Sequence, residues 1–393
     1  MKDVNNVRRM IFFLVAVMAL CMPVSAAEPD IEYDYGGDLA GGFDTESQLD
    51  ALGRDELMQS VPEDARELLE ETGLYDMSVK SMLQLSPGDF FKALWAALLH
   101  QLKSPVRTLG ALVGIILLCA FLNGLKTASW DTSLSGIFGT VSVLCIVLSV
   151  AAPIIDCIMQ TTKAIRDASY FMISFVPVFS AALVAAGQPV TGATYNLFLF
   201  STCQVIAQVV AQTLVPLMSV YLALCIVGAL VPEVNISSAA NTIKTVVTWA
   251  LGFIFTLFVG LLSVQTMVST GADSVTTKTA KFLIGSFVPV VGSALSEAYT
   301  AAQGCLRLIK TSVGAYGIIV ALFTFLPVFM KALIWYLITN IGVVAGDIIG
   351  VPAVSSVLKA CSTVLGILLA IILCYALLLI VSTTVVLVTG AGA

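Results

Sequence analysis

From Cys361 to Val388 the chain carries no charged side chain. A run of that length, dominated by Leu, Ile and Val, satisfies its backbone in hydrocarbon as a helix, because about 20 such residues already cross the core of a bilayer. Runs of the same kind at about residues 108–125, 134–155 and 245–268 repeat the constraint. The chain therefore reads as an all-α polytopic membrane protein. Its composition agrees: only 11% of the 393 residues are charged, against roughly a quarter in soluble domains.

Weaker apolar stretches lie between these runs. Residues 169–187 contain Pro177, 193–232 break at Pro216, 282–296 are short, and 313–346 break at Pro327 and Lys331. Such stretches form kinked spans, paired half-helices or re-entrant segments. The sequence thus predicts seven to nine transmembrane or re-entrant helices.

At the N-terminus, Lys2, Arg8 and Arg9 precede the apolar run Met10 to Met22, and Val24-Ser25-Ala26 supplies small residues for cleavage. Residues 1–26 read as a signal peptide. Residues 27–104 then form an acidic extracytoplasmic region: positions 28–92 hold 17 of the 25 carboxylates and four basic residues. Its first part is too polar and Gly-rich to fold, by composition. Val61-Pro62-Glu63-Asp64 opens a helix that Gly73 closes. A second helix from Ser86, with Phe91, Leu94, Trp95, Leu98 and Leu102 on one face, lies in the membrane interface or forms the core of a small soluble domain. Residues 105–393 are the membrane domain. With the head outside, a spanning 134–155 would place Lys163 and Arg166 outside too, against the positive-inside bias.

Within the membrane domain one phrase recurs. Ser174-Phe175-Val176-Pro177-Val178 returns as Ser286-Phe287-Val288-Pro289-Val290. Thr132-Ser133, Ser237-Ser238 and Ser355-Ser356 each precede an apolar run at similar spacing, and Pro216 corresponds to Pro327. The order implies repeats over 131–235 and 236–353, with a partial third over 354–393; convergent membrane composition is the other explanation. Matched prolines free carbonyls in mid-helix, and interrupted helices in matched positions mark translocation paths in transporters. Pro177, Pro289, Pro216 and Pro327, with the hydroxyls of Ser174, Ser180, Ser286 and Ser293, are therefore the candidate path or hinge residues. A bend that merely improves packing is the plainer account of each proline.

Catalysis finds little support. His100 is the sole histidine, the cysteines are scattered singly as small hydrophobes, and neither a Walker A loop nor a dinucleotide fingerprint is present. No cofactor or metal is expected, and the chain reads as non-enzymatic. Charges are sparse: Asp156, Lys163, Arg166 and Asp167, then Asp273, Lys278 and Lys281, then Arg307 and Lys310 read as loop or interface groups, as do Glu233 and Asp347.

The signal, the acidic head, the SFVPV phrases and the serine-rich span entrances together resemble the stage III sporulation protein AE family of endospore-forming bacteria. That resemblance implies a multi-pass protein of the mother-cell membrane around the forespore. It also implies partners: other stage III A proteins, including a secretion-type ATPase and ring-forming components, and stage II sporulation protein Q. The family offers no catalytic residues to carry over. Two roles compete, a permease-like channel core and a non-conducting scaffold, with an independent secondary transporter third.

Overall fold

A computed structural model describes residues 45–75, 132–230, 236–287 and 292–389, with isolated positions between 110 and 121. All of them fall in one unit, Thr45–Ala393. Every regular element among them is helical. The signal peptide, the first part of the acidic region, the interfacial helix from Ser86 and Glu233 lie outside the described residues.

Three short helices come first: α1 (Thr45–Ala51), α2 (Arg54–Gln59) and α3 (Glu63–Glu71). Helix α3 starts and stops as its sequence predicts. Pro62 sits just before it in an extended conformation, and Glu63 and Asp64 fill the first turn, near the positive end of the dipole. At the other end Gly73 takes a φ of 69°. There the Leu74 amide donates to the Leu69 carbonyl at 2.9 Å and Gly73 to Glu70 at 3.2 Å, a left-handed cap that side chains other than Gly rarely allow. Ala65, Leu68 and Leu69 are buried, while Glu63, Asp64, Glu67, Glu70 and Glu71 face outward.

Five long helices follow: α4 (Thr132–Ala185), α5 (Pro189–Leu230), α6 (Ser237–Phe287), α7 (Gly292–Ile349) and α8 (Pro352–Thr389). Each contains a segment long and apolar enough to cross a membrane. The prolines do not divide them, which corrects the expected breaks. Pro153 and Pro177 lie inside the 54 residues of α4, so the stretches 134–155 and 169–187 form one helix. Pro327 and Lys331 lie inside α7. Helix α5 contains Pro216 just after a π-helical stretch, Val210–Leu214, with Val215 between them. A widened turn there makes room for the pyrrolidine ring beside the preceding turn. The stretch 282–296 straddles the end of α6 and the start of α7. Among the described residues the count is five.

Packing explains why α4 tolerates its prolines. A mid-helix proline costs ~3 kcal/mol, but three buried aromatics on the same helix gain more. Phe171 stacks on Phe175 at 5.5 Å, Phe175 on Phe179 at 5.4 Å, and Phe179 meets Tyr195 of α5 edge-on at 5.1 Å. The Phe175 ring rests where a Cβ on Gly317 of α7 would lie, 2.2 Å from its tip. Helices α7 and α8 form a tight hairpin through Gly350, at φ 78°, with Gly346 against the Ser355 hydroxyl. Helix α8 is the most enclosed of the five and α6 the least. The short helices seat on α4 and α7, with the Gly53 α-carbon facing the Val178 side chain.

Candidate functional site

Five of the eight sequence-derived path residues have described side chains. Pro177 and Pro216 face outward, Pro327 and Ser174 are half-buried, and Ser180 is buried. The Ser180 hydroxyl donates to the Gly192 carbonyl at 2.8 Å, tying the end of α4 to the start of α5. Near Pro327, the Thr324 hydroxyl donates to the Val320 carbonyl at 2.7 Å. Pro289 lies outside the described residues, as do the side chains of Ser286 and Ser293.

The structure instead brings together charges that the sequence suggested were loop or interface groups. Asp273 of α6 is 5% exposed and Lys310 of α7 is 3% exposed. Asp273 reaches the first turn of α5, where its carboxylate accepts the Val190 amide at 2.9 Å, the Thr191 amide at 2.8 Å and the Thr191 hydroxyl at 2.5 Å. The local sequence explains why a remote acid serves here. Helix α5 is preceded by Gln188, whose side chain makes no capping bond, where Ser, Thr, Asp or Asn is the usual donor-satisfying residue. The missing cap is the signal that could have pointed to a partner elsewhere in the chain.

Gln188 is turned to a second task. Its side-chain carbonyl accepts the Lys310 ammonium at 3.0 Å, and Lys310 also approaches the Leu387 carbonyl at 3.4 Å. Leu387 lies in the last turn of α8, where carbonyls lack helical partners. One acid thus caps the start of α5 while one base caps the end of α8. The two charged groups hold the α4–α5 turn, α6, α7 and α8 at one level. Chemically the cluster satisfies the backbone groups at two helix ends.

A second pair sits lower in the body. Lys331 of α7 meets Asp156 of α4 at 2.5 Å, and Gln160 approaches the same carboxylate at 3.3 Å. Above it the Gln204 amide of α5 donates to the Ser169 carbonyl of α4 at 2.9 Å. Lys163, one of the two cations that conflict with the positive-inside bias, pairs with Asp64 of α3 at 3.1 Å and with Asp167 at 4.0 Å. Asp347, in the last turn of α7, is exposed. Between α5 and α6 a cleft of about 220 Å³ opens beside the π-helical stretch Tyr195–Phe200, lined by Phe198, Thr202, Phe258, Leu261, Gln265 and Val268.

Five helices long and apolar enough to cross a membrane, cross-capped by buried charges, define an all-α protein of the helical-bundle class. Within that class the chain belongs to a known family: the profile described as Stage III sporulation protein AE matches residues 71–390. It is similar to the stage III sporulation protein AE of Bacillus subtilis (strain 168), with 27% identity over 236 residues. That match covers 59% of this chain and 58% of the relative. No solved structure matches.

Proposed function

We propose that this chain is a non-enzymatic, multi-pass membrane component of a stage III A sporulation assembly, acting as the permease-like core of a channel between mother cell and forespore. A secretion-type ATPase, ring-forming components and stage II sporulation protein Q are its partners in this reading, and the mother-cell membrane around the forespore is its location. The observation that carries the reading is the buried Asp273–Lys310 cluster. Ionisable groups enclosed in an apolar helical body are costly, and in membrane proteins they mark working parts. Supporting it, the order of two long helices, two long helices and one follows the proposed repeats 131–235, 236–353 and 354–393. In this reading a signal peptide is removed near Ala26, and the acidic head faces the extracytoplasmic space.

The scaffold reading has its own support. The Ser180 hydroxyl is already engaged by Gly192, and Pro177 faces outward. One experiment separates the two. Single cysteines at Ser174, Ser180, Ser286 and Ser293, in a chain whose native cysteines are replaced, are treated with a membrane-impermeant thiol reagent in sporulating cells. Labelling that is blocked when partners are present and restored when they are deleted supports a shared aqueous path. Absence of labelling under both conditions supports the scaffold.

A further inference from the structure

Helix α5 is not α-helical throughout. Two π-helical stretches, Tyr195–Phe200 and Val210–Leu214, flank the α-helical stretch Ser201–Val209. A π-turn closes on the fifth residue instead of the fourth, so each stretch holds a residue more than an α-helix needs. When the first stretch tightens and the second takes up the surplus residue, Ser201–Val209 advances by one position. It turns by about 100° and rises by about 1.5 Å, and each residue takes the place of the one after it.

The sequence of that stretch suits both positions. Cys203, Ile206 and Val210 are buried. The residues directly before them are Thr202, Val205 and Val209, each close in size to its neighbour. Val205 is 63% exposed and Val209 38%, so the advance exchanges outer for inner members of matched pairs. Gln204 and Gln208 meanwhile move to the outer places that Val205 and Val209 leave. Of the buried places, only that of Ala207 receives a larger side chain, Ile206. A slip the other way would carry Gln204 and Gln208 inward and has no such match.

An unused hydroxyl marks where the advance leads. Cys203 is close enough to Tyr195 and to Tyr375 of α8 to interact electrostatically with both, and its stretch touches α8. Tyr375 is 2% exposed, and its ring meets Phe325 of α7 edge-on at 5.7 Å. Among the described residues its hydroxyl has no hydrogen-bond partner, whereas buried hydroxyls are normally paired. Thr202, in the place of Cys203, carries a hydroxyl toward that position. In the present position it lines the cleft and donates to the Phe198 carbonyl at 2.6 Å. Gln204 opposes the advance: its amide donates to the Ser169 carbonyl of α4 at 2.9 Å, and its side-chain oxygen accepts the Ser169 hydroxyl.

We infer that α5 is a two-position helix, in which Gln204 on Ser169 holds the position seen and Thr202 beside Tyr375 defines the other. The cleft beside Tyr195–Phe200 leaves the moving turn room. Helix rotations of this size are a known form of switching element, and here the element exchanges a bond to α4 for a bond to α8. The inference goes beyond the channel reading and applies equally to a scaffold.

The advance puts Cys203 where Gln204 now meets Ser169, so cross-linking reads it. The full chain carrying Ser169→Cys, with Cys203 kept and the other cysteines replaced, is treated in isolated membranes with a short thiol-to-thiol linker. A link between positions 169 and 203 is expected. Deleting Leu197, an exposed residue of the first π-helical stretch, removes the surplus residue and should abolish that link. In the same deleted chain, Ser169→Cys/Gln204→Cys with Cys203 replaced should still join, which reports an intact fold. Gln204→Leu, which releases Ser169, should raise the yield of the 169–203 link roughly threefold or more, because it shifts the population toward the advanced position. A link absent from both the parent and Gln204→Leu, or a yield that Gln204→Leu and the deletion leave unchanged, overturns the two-position helix. Where the deleted chain fails to insert, the comparison of Gln204→Leu with its parent decides by itself.

Discussion

The carboxylate of Asp273 accepts the Thr191 amide at 2.8 Å, although 82 residues separate them in the chain. A helix start is thereby capped by a different helix, so the register of α6 against α5 is fixed by one side chain. Asp273→Ala leaves three donors unsatisfied, and a loss on the order of 2–4 kcal/mol is expected. Asp273→Asn keeps one acceptor oxygen and should lose about half as much. Thermal unfolding of the purified protein in detergent reads both, and an unchanged midpoint for the alanine variant would remove the cap from the account.

Gly317 is the position where α7 touches the aromatic stack of α4. A Cβ there would lie 2.2 Å from the Phe175 ring, and that ring is held between Phe171 and Phe179. Gly317→Ala should destabilise by about 1–3 kcal/mol through overpacking. Phe175→Leu in the same chain should recover part of the loss. Additive losses in the double variant would show that the two residues do not meet.

The short helices should be held by apolar anchors rather than by charge. Lys163 and Asp64 are both about half exposed, and such pairs contribute roughly 0–1 kcal/mol. Asp64→Asn should therefore leave resistance to limited proteolysis between residues 45 and 75 unchanged. Leu69→Asp, which buries an unpaired charge in a site with no exposure, should open that segment to cleavage. The reverse ranking would mean that the ion pair docks the head.

Between Lys331 and Asp156 the contact is closer and more enclosed on the lysine side. Lys331→Asp should lower the protein's melting temperature, and adding Asp156→Lys should restore most of it. Restoration tests the pair itself, because a general loss of packing is not repaired by a swap.

Much of this fold was legible because hydrophobic runs and punctuation residues act locally. The run 361–388 became α8, and Pro62 and Gly73 bounded α3, since each signal needs only its own few residues. The prolines misled for a physical reason. A single ring removes one hydrogen bond and crowds one turn, which a helix buried on two sides absorbs through stacked aromatics at Phe175 or a π-turn before Pro216. Asp273 and Lys310 resemble loop charges because Thr-rich sequence follows the first and Arg307 accompanies the second. Their partners, Thr191 and Gln188, lie 82 and 122 residues away, beyond any periodicity. The missing cap at Gln188 was the one local trace of them.

Helix α8 is the most enclosed of the five, yet it leaves the ribosome after the other four. Until it arrives, α4, α5, α6 and α7 surround a vacant axis, with the Gly314 side of α7 awaiting Leu387 and the Lys310 ammonium awaiting the Leu387 carbonyl. The α7–α8 hairpin can zip from Gly350 upward as soon as α8 is made, since Gly346 and Ser355 meet across a short turn. Biogenesis therefore has a late commitment point. A nascent chain that stalls before its last turns presents an unfilled groove to membrane chaperones and proteases, and a completed one withdraws it.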